Sequence, residues 1–177
     1  DMGMPEIILE SNTMSKISSW ILQQDLGQVD YKAIVGAFVI FYWSGAMIGR
    51  FIGAYLTRII APAKVLALFA TMAITLLATS MLTNGFVAMW AILLVGLFNS
   101  IMFPTIFTLS LSGLGTYKPQ ASGILCTAIV GGAIVPPLYG ILTDTFDFKS
   151  ALTLMVLCYF YIFYFARKSN RFIKAQD

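Results

Sequence analysis

The sequence has no histidine and only two cysteines, and it carries few charges: 11 Lys and Arg and 8 Asp and Glu in 177 residues. Without histidine, the usual zinc sites and His-dependent triads lose their commonest residue. Cys126 and Cys158 each sit midway along an apolar run. They read as small buried hydrophobes, and two such residues imply no disulfide framework. No glycine-rich phosphate loop ending in Lys-Ser or Lys-Thr occurs, and Ser122-Gly123 lacks the His or Lys partner that serine chemistry needs. The chain is therefore not read as an enzyme, and no cofactor and no metal are expected. The net charge of +3 is too mild and too dispersed for a nucleic-acid footprint.

What the chain does have is apolar length. Hydrophobic residues make up 59% of it and charged residues 11%, against roughly half and a quarter in a soluble domain. A helix needs about 20 residues to cross about 30 Å of hydrocarbon. Stretches of that order run from Ala33 to Thr57, Ala63 to Thr83, Phe86 to Ser112 and Gln120 to Thr143. A fifth, Ser150 to Ala166, is shorter and rich in Tyr and Phe, which suit the headgroup level. Turn chemistry separates them at Ala61-Pro62, Thr83-Asn84-Gly85, Gly113 to Pro119 and Thr143 to Lys149. Such short links make neighbouring spans antiparallel. The fold expected is an all-α, polytopic transmembrane bundle of about five spans.

The organisation expected is an extramembrane segment at 1–32, a bundle at 33–167 and a tail at 168–177. Ile17 to Leu26 could form a short amphipathic helix. The opening at Asp1 lacks a signal peptide's charged and apolar regions, and a start this abrupt reads as a fragment or a processed product. Basic residues of short loops collect on the cytoplasmic side. That rule places Arg58, Lys64, Lys118 and the tail residues Arg167, Lys168, Arg171 and Lys174 inside. Asp144, Asp147 and Lys149 then lie outside with the acidic N-terminal segment, and the C-terminus is cytoplasmic.

Within the spans no Asp, Glu or His stands at mid-depth, so this segment is a poor candidate for a proton relay. Arg50, late in the first span, is either a snorkelling topology anchor or a gating contact at the cytoplasmic end. Gly45, Gly49 and Gly53 recur at steps of four, the spacing of a helix-packing groove. In the third span Pro104 removes a backbone donor and predicts a kink or break, with the carbonyl near Ser100 left free. Asn99, Ser100, Thr105 and Thr108 gather around it. Asn99, Thr105 and Thr108 are candidates for a cavity that takes a hydroxyl-rich solute; their alternative role is to satisfy the kinked helix. Tyr42 and Trp43 either pack or stack on a sugar ring. Gly131-Gly132 and Pro136-Pro137 predict a fourth span broken midway, a common mark of transporter sites.

Three stretches resemble the fucose/glucose-galactose:proton symporters of the major facilitator superfamily. GAMIGRFIGAYLTRIIAPAKVL, Gly45 to Leu66, is similar to that family's eighth helix and the cytoplasmic loop after it. GLFNSIMFPTIFTLSLSGLG, Gly96 to Gly115, resembles its tenth helix, and SGILCTAIVGGAIVPPLYG, Ser122 to Gly140, its eleventh. The resemblance lies in the three together, in the family's order and spacing.

The resemblance implies the C-terminal half of a major facilitator fold, helices eight to twelve of two six-helix halves around a cavity. It implies a secondary active transporter that imports a hexose or 6-deoxyhexose with protons across the bacterial inner membrane. The family's proton-coupling carboxylates belong to the N-terminal half, which would be this chain's missing partner, alongside the lipid bilayer, the sugar and the proton. Asn99 is carried over as a cavity residue. A seventh helix should precede Ala33, and residues 1–32 do not read as one. Two other readings stand beside it: a non-transporting structural or regulatory membrane subunit, and a major facilitator carrier for a non-sugar solute.

Overall fold

The structure, a computed structural model, describes Lys16, residues 31–146 and residues 148–174. The amphipathic segment expected within residues 17–26 lies outside the described residues, as does nearly all of the 1–32 segment. Helix α1 (Tyr31–Ile59) is followed by α2 (Pro62–Leu82). The third span consists of α3 (Gly85–Asn99) and α4 (Met102–Leu111), and the fourth of α5 (Lys118–Ala128) and α6 (Gly131–Thr145). A single turn of 3-10 helix, Gly115–Tyr117, links these two spans, and α7 (Phe148–Lys174) closes the chain. Among the described residues, five helical stretches are long and apolar enough to cross a membrane. The chain is a multi-pass membrane protein.

The links follow from local chemistry. Pro62 occupies the first turn of α2, where a missing amide hydrogen breaks no helical bond. The Ala61 carbonyl takes the first bonds of that helix, from the amides of Lys64 (2.8 Å) and Val65 (3.2 Å). Gly85 starts α3 at φ +66°, a left-handed conformation that favours glycine.

Helix α2 is the centre of the bundle. Leu66, Ala70 and Ala73 on it are fully buried, with Phe69 and Leu77 beside them. It packs on α1, α3, α4 and α7; α1 lies mainly on α3, and α6 lies on α7. Lipid tails are as apolar as leucine, so burial alone gives such helices little, and close van der Waals packing has to hold them. Small residues such as Ala63, Ala70 and Ala73 let neighbours approach α2 closely. One exposed face of α1 is apolar and aromatic: Trp43, Met47, Phe51 and Tyr55 recur on it at steps of four. Polar side chains on α2 are satisfied within the helix. The hydroxyls of Thr71, Thr75, Thr79 and Thr83 donate to the carbonyls of Ala67, Thr71, Thr75 and Thr79 at 2.6–2.9 Å.

Three expectations need correction. The last span is not short: α7 runs 27 residues, and its membrane-length part covers Phe148–Asn170. The helix simply continues through the basic residues that mark its end in the sequence. Cys126 and Cys158 are both exposed, because their apolar runs present them on the outside of the bundle. The third span is interrupted upstream of its proline, not at it, as described next.

Candidate functional site

The interruption in the third span falls at Ser100 and Ile101, between α3 and α4. Pro104 has no amide hydrogen to give the carbonyl four residues earlier, which is that of Ser100. The defect therefore appears one turn ahead of the ring, and regular bonding resumes with Thr105 N–H donating to the Ile101 carbonyl at 3.1 Å. The fourth span is also interrupted, but not at the carbonyls of Gly132 and Ala133 that its prolines leave without a donor. Ile129 and Val130 separate α5 from α6, while Pro136 and Pro137 lie inside α6. Around this break the amides reach back three residues: Ile129 to Cys126, Val130 to Thr127, Gly132 to Ile129 and Ala133 to Val130, at 2.8–3.2 Å. Gly131 and Gly132 begin the second half of the span, and the 3-10 turn carries the bend.

The two breaks lie at similar depth. From the link between the spans, α4 has 10 residues and α5 has 11 before the interruption. At 1.5 Å per residue each break is about 15 Å from that end, half of the ~30 Å hydrocarbon thickness. Between them lies an apolar cavity of about 370 Å³, lined by Phe103, Ile106 and Phe107 on one side and Leu125, Ile129 and Gly132 on the other.

The first span meets the third at its break. Gly45, Gly49 and Gly53 face Leu97, Ser100 and Ile101 in turn. A Cβ on Gly49 would overlap the Leu97 carbonyl and come within 2.7 Å of Ser100 Oγ. One on Gly53 would come within 2.6 Å of the Ile101 side chain, while Gly45 is in ordinary contact at 3.7 Å. Gly96 does the same for the other helix, since a Cβ there would lie 2.6 Å from the Tyr42 carbonyl. The glycine step of four on α1 signalled its own groove. The matching pair on the third span, Gly96 and Ser100, also four apart, gave no such signal in the sequence.

Above that seam Asn99 Nδ2 donates to the Tyr42 hydroxyl at 3.2 Å, and Asn99 is exposed. Trp43 stands edge-on to Tyr42, ring centroids 5.9 Å apart, and is 67% exposed. An amide, a phenol and an indole thus share one neighbourhood at the break of the third span. Ser100 Oγ donates to the Leu97 carbonyl at the end of α3 (2.8 Å) and Thr108 Oγ1 to the Pro104 carbonyl within α4 (2.8 Å), so both hydroxyls turn back onto their own span.

Below the seam a cleft of about 400 Å³ opens between α1 and α4. Arg50, Pro104, Thr105 and Thr108 line it, together with Thr57 and Gly53. Thr105 is buried in its wall, and Arg50 is exposed at its edge. The structure thus brings together Arg50 and the Pro104 group, which the sequence separates by more than 50 positions. Gly131, Pro136 and Pro137 line neither this cleft nor the Tyr42–Asn99 pair. Among the described residues no group of three or more His, Cys, Asp or Glu is placed to hold a metal.

A seam of glycines, two spans broken at mid-depth and polar groups at the breaks are features that multi-pass membrane proteins of the secondary-transporter class share. No family model matches the chain. It is 52% identical to the glucose/galactose transporter of Brucella abortus over 127 residues, 72% of this chain and 31% of that protein. It is 46% identical to a putative glucose/galactose transporter of Helicobacter pylori over 139 residues, 76% of this chain and 34% of that one. It is 37% identical to the L-fucose-proton symporter of Escherichia coli over 143 residues, 78% of this chain and 33% of that one. Among solved structures, the outward conformation of the major facilitator transporter FucP matches 88% of this chain and 38% of that chain, with TM-score 0.74 and 30% identity. The chain belongs to the fucose/glucose-galactose symporter family of the major facilitator superfamily. It spans about a third of the length of the curated relatives it matches.

Proposed function

We propose that this chain forms part of a secondary active transporter that imports a hexose or 6-deoxyhexose together with protons. It would supply one wall of the cavity, as the C-terminal half of the fold. The observation that carries this reading is the 52% identity to a glucose/galactose transporter over 127 residues. In alternating access two halves rock around a midplane site. Asn99, Tyr42 and Trp43 suit the sugar: the amide and phenol exchange hydrogen bonds with hydroxyls, and the indole stacks on the apolar ring face. Thr105 and Thr108 line the path beneath, and Arg50 acts as a gating contact at its mouth. The glycine seam of Gly45, Gly49 and Gly53 gives a smooth surface on which α1 and α3 can shift. The proton is carried by carboxylates in the partner half.

The same reading places the protein in the bacterial inner membrane, with residues 1–32 outside the bilayer and the 168–177 tail in the cytoplasm. The charge split supports that orientation, since Arg58, Lys64, Lys118 and Lys168 share one side. The test is uptake by the carrier of which this chain is part, reconstituted in vesicles. Glucose, galactose or fucose should each be tried for alkalinisation of the external medium on addition. A carrier that moves no protons with any of the three sugars overturns the reading.

A further inference from the structure

We propose that the groove between the end of α4 and the end of α7 binds an anionic phospholipid. This groove is separate from the transport cleft and rests only on the chain's spanning a membrane, not on which solute is carried. Its volume is about 480 Å³, inside the range of about 300–1,000 Å³ typical of small-molecule sites. Ser110, Ser112, Tyr161, Tyr164, Lys168 and Ser169 line it. Leu109 and Phe165 make its apolar floor.

Three observations commit it to a lipid. The groove opens outward from the bundle, with Tyr161 71% exposed and Tyr164 61% exposed. Both lie within the membrane-length part of α7, near its end, so they stand where headgroups meet acyl chains. The charge is of one sign: Arg167, Lys168, Arg171 and Lys174 follow one another in α7, and between Phe148 and Gln176 the sequence has no acid. Arg167 is stacked over the Phe163 ring at 5.2 Å, and among the described side chains Lys168 is the cation that lines the groove. The lining is also divided in kind, with hydroxyls and an ammonium at the rim and apolar side chains beneath. A phosphodiester with an acyl chain matches both parts. Free phosphate would use only the rim. Basic pockets between helices at such a face bind anionic lipid headgroups, with about 1 kcal/mol per Lys or Arg, or about fivefold in affinity.

The test is native mass spectrometry of the carrier of which this chain is part, released from detergent with equal amounts of phosphatidylglycerol and phosphatidylcholine of identical acyl chains. The carrier should retain the anionic lipid over the zwitterionic one by about fivefold. Lys168→Gln should abolish that preference, and Lys168→Arg should keep it. Lys64→Gln, an exposed cation away from the groove, should leave it unchanged. Circular dichroism melting checks that each variant remains folded. Equal retention of both lipids by the parent carrier would overturn the proposal. So would an equal loss in the Lys64 variant, which would mean diffuse charge alone, or displacement of the lipid by millimolar inorganic phosphate, which would mean a free-anion site.

Discussion

Asn99 on the third span donates its side-chain amide to the hydroxyl of Tyr42 on the first, at 3.2 Å, beside the point where the third span breaks. The pair ties the first span to the third within the half of the proposed carrier that this chain forms. A hydrogen bond of this kind is worth about 0.5–1.5 kcal/mol, or about two- to tenfold in a binding constant. Asn99→Ala is expected to raise the half-saturating sugar concentration for uptake by about that factor. Tyr42→Phe, which keeps the ring and removes the acceptor, should raise it less. Unchanged half-saturation in both variants, at equal amounts of folded carrier, would place the sugar elsewhere.

The glycine seam makes a sharper prediction about stability. Gly49→Ala puts a Cβ into the Leu97 carbonyl, and overpacking of this sort costs about 1–3 kcal/mol. The thermal midpoint in detergent should fall accordingly, as read by size-exclusion after heating. Gly123→Ala is the control, because nothing lies within 4 Å of its added carbon. If the two variants melt alike, α1 does not pack on α3 in this register.

Arg50 at the edge of the α1–α4 cleft separates gating from anchoring. Arg50→Gln is expected to slow uptake about tenfold, about 1.4 kcal/mol in the barrier, with half-saturation nearly constant. Arg50→Lys, which keeps the charge and can still snorkel, should recover part of the rate. A topology anchor would instead show as lost membrane insertion in the Gln variant, measured by protease protection.

Orientation can be read from the link between the third and fourth spans. Thr116 is exposed in that link. A Thr116→Cys variant with Cys126→Ala and Cys158→Ala should resist a charged, impermeant maleimide in intact cells and react in inverted vesicles. Labelling in intact cells would reverse the assigned sidedness.

Apolar length made the five spans legible, since the physics of crossing hydrocarbon leaves little choice of element. The prolines were visible too, but a proline marks the residue that lacks a donor. In the third span the distortion settles at the carbonyl left behind, and so Ser100–Ile101 carries the break; in the fourth the break falls at Ile129–Val130, just ahead of Gly131-Gly132 and not at the carbonyls of Gly132 and Ala133 that Pro136 and Pro137 leave free. Gly45, Gly49 and Gly53 announced a packing face but not its partner, because periodicity on one helix holds no information about which other helix comes near. The same limit hid the meeting of Arg50 with Thr105 and Thr108. Cys126 and Cys158 misled for a related reason: in lipid, apolar surroundings in sequence do not mean interior in space.

Another contact no local pattern could reveal is that of Lys149. Its ammonium donates to the Thr83 carbonyl at 3.1 Å and to the Asn84 side-chain oxygen, so it clasps the turn after α2 to the start of α7. Two helical hairpins are thereby pinned together at the face opposite the basic one. With their tips fastened, they would swing as one lever, and flexing during a transport cycle would fall on the hinges at Ser100–Ile101 and Ile129–Val130. Cutting the clasp with Lys149→Met would let the tips part and spread the motion along the levers themselves.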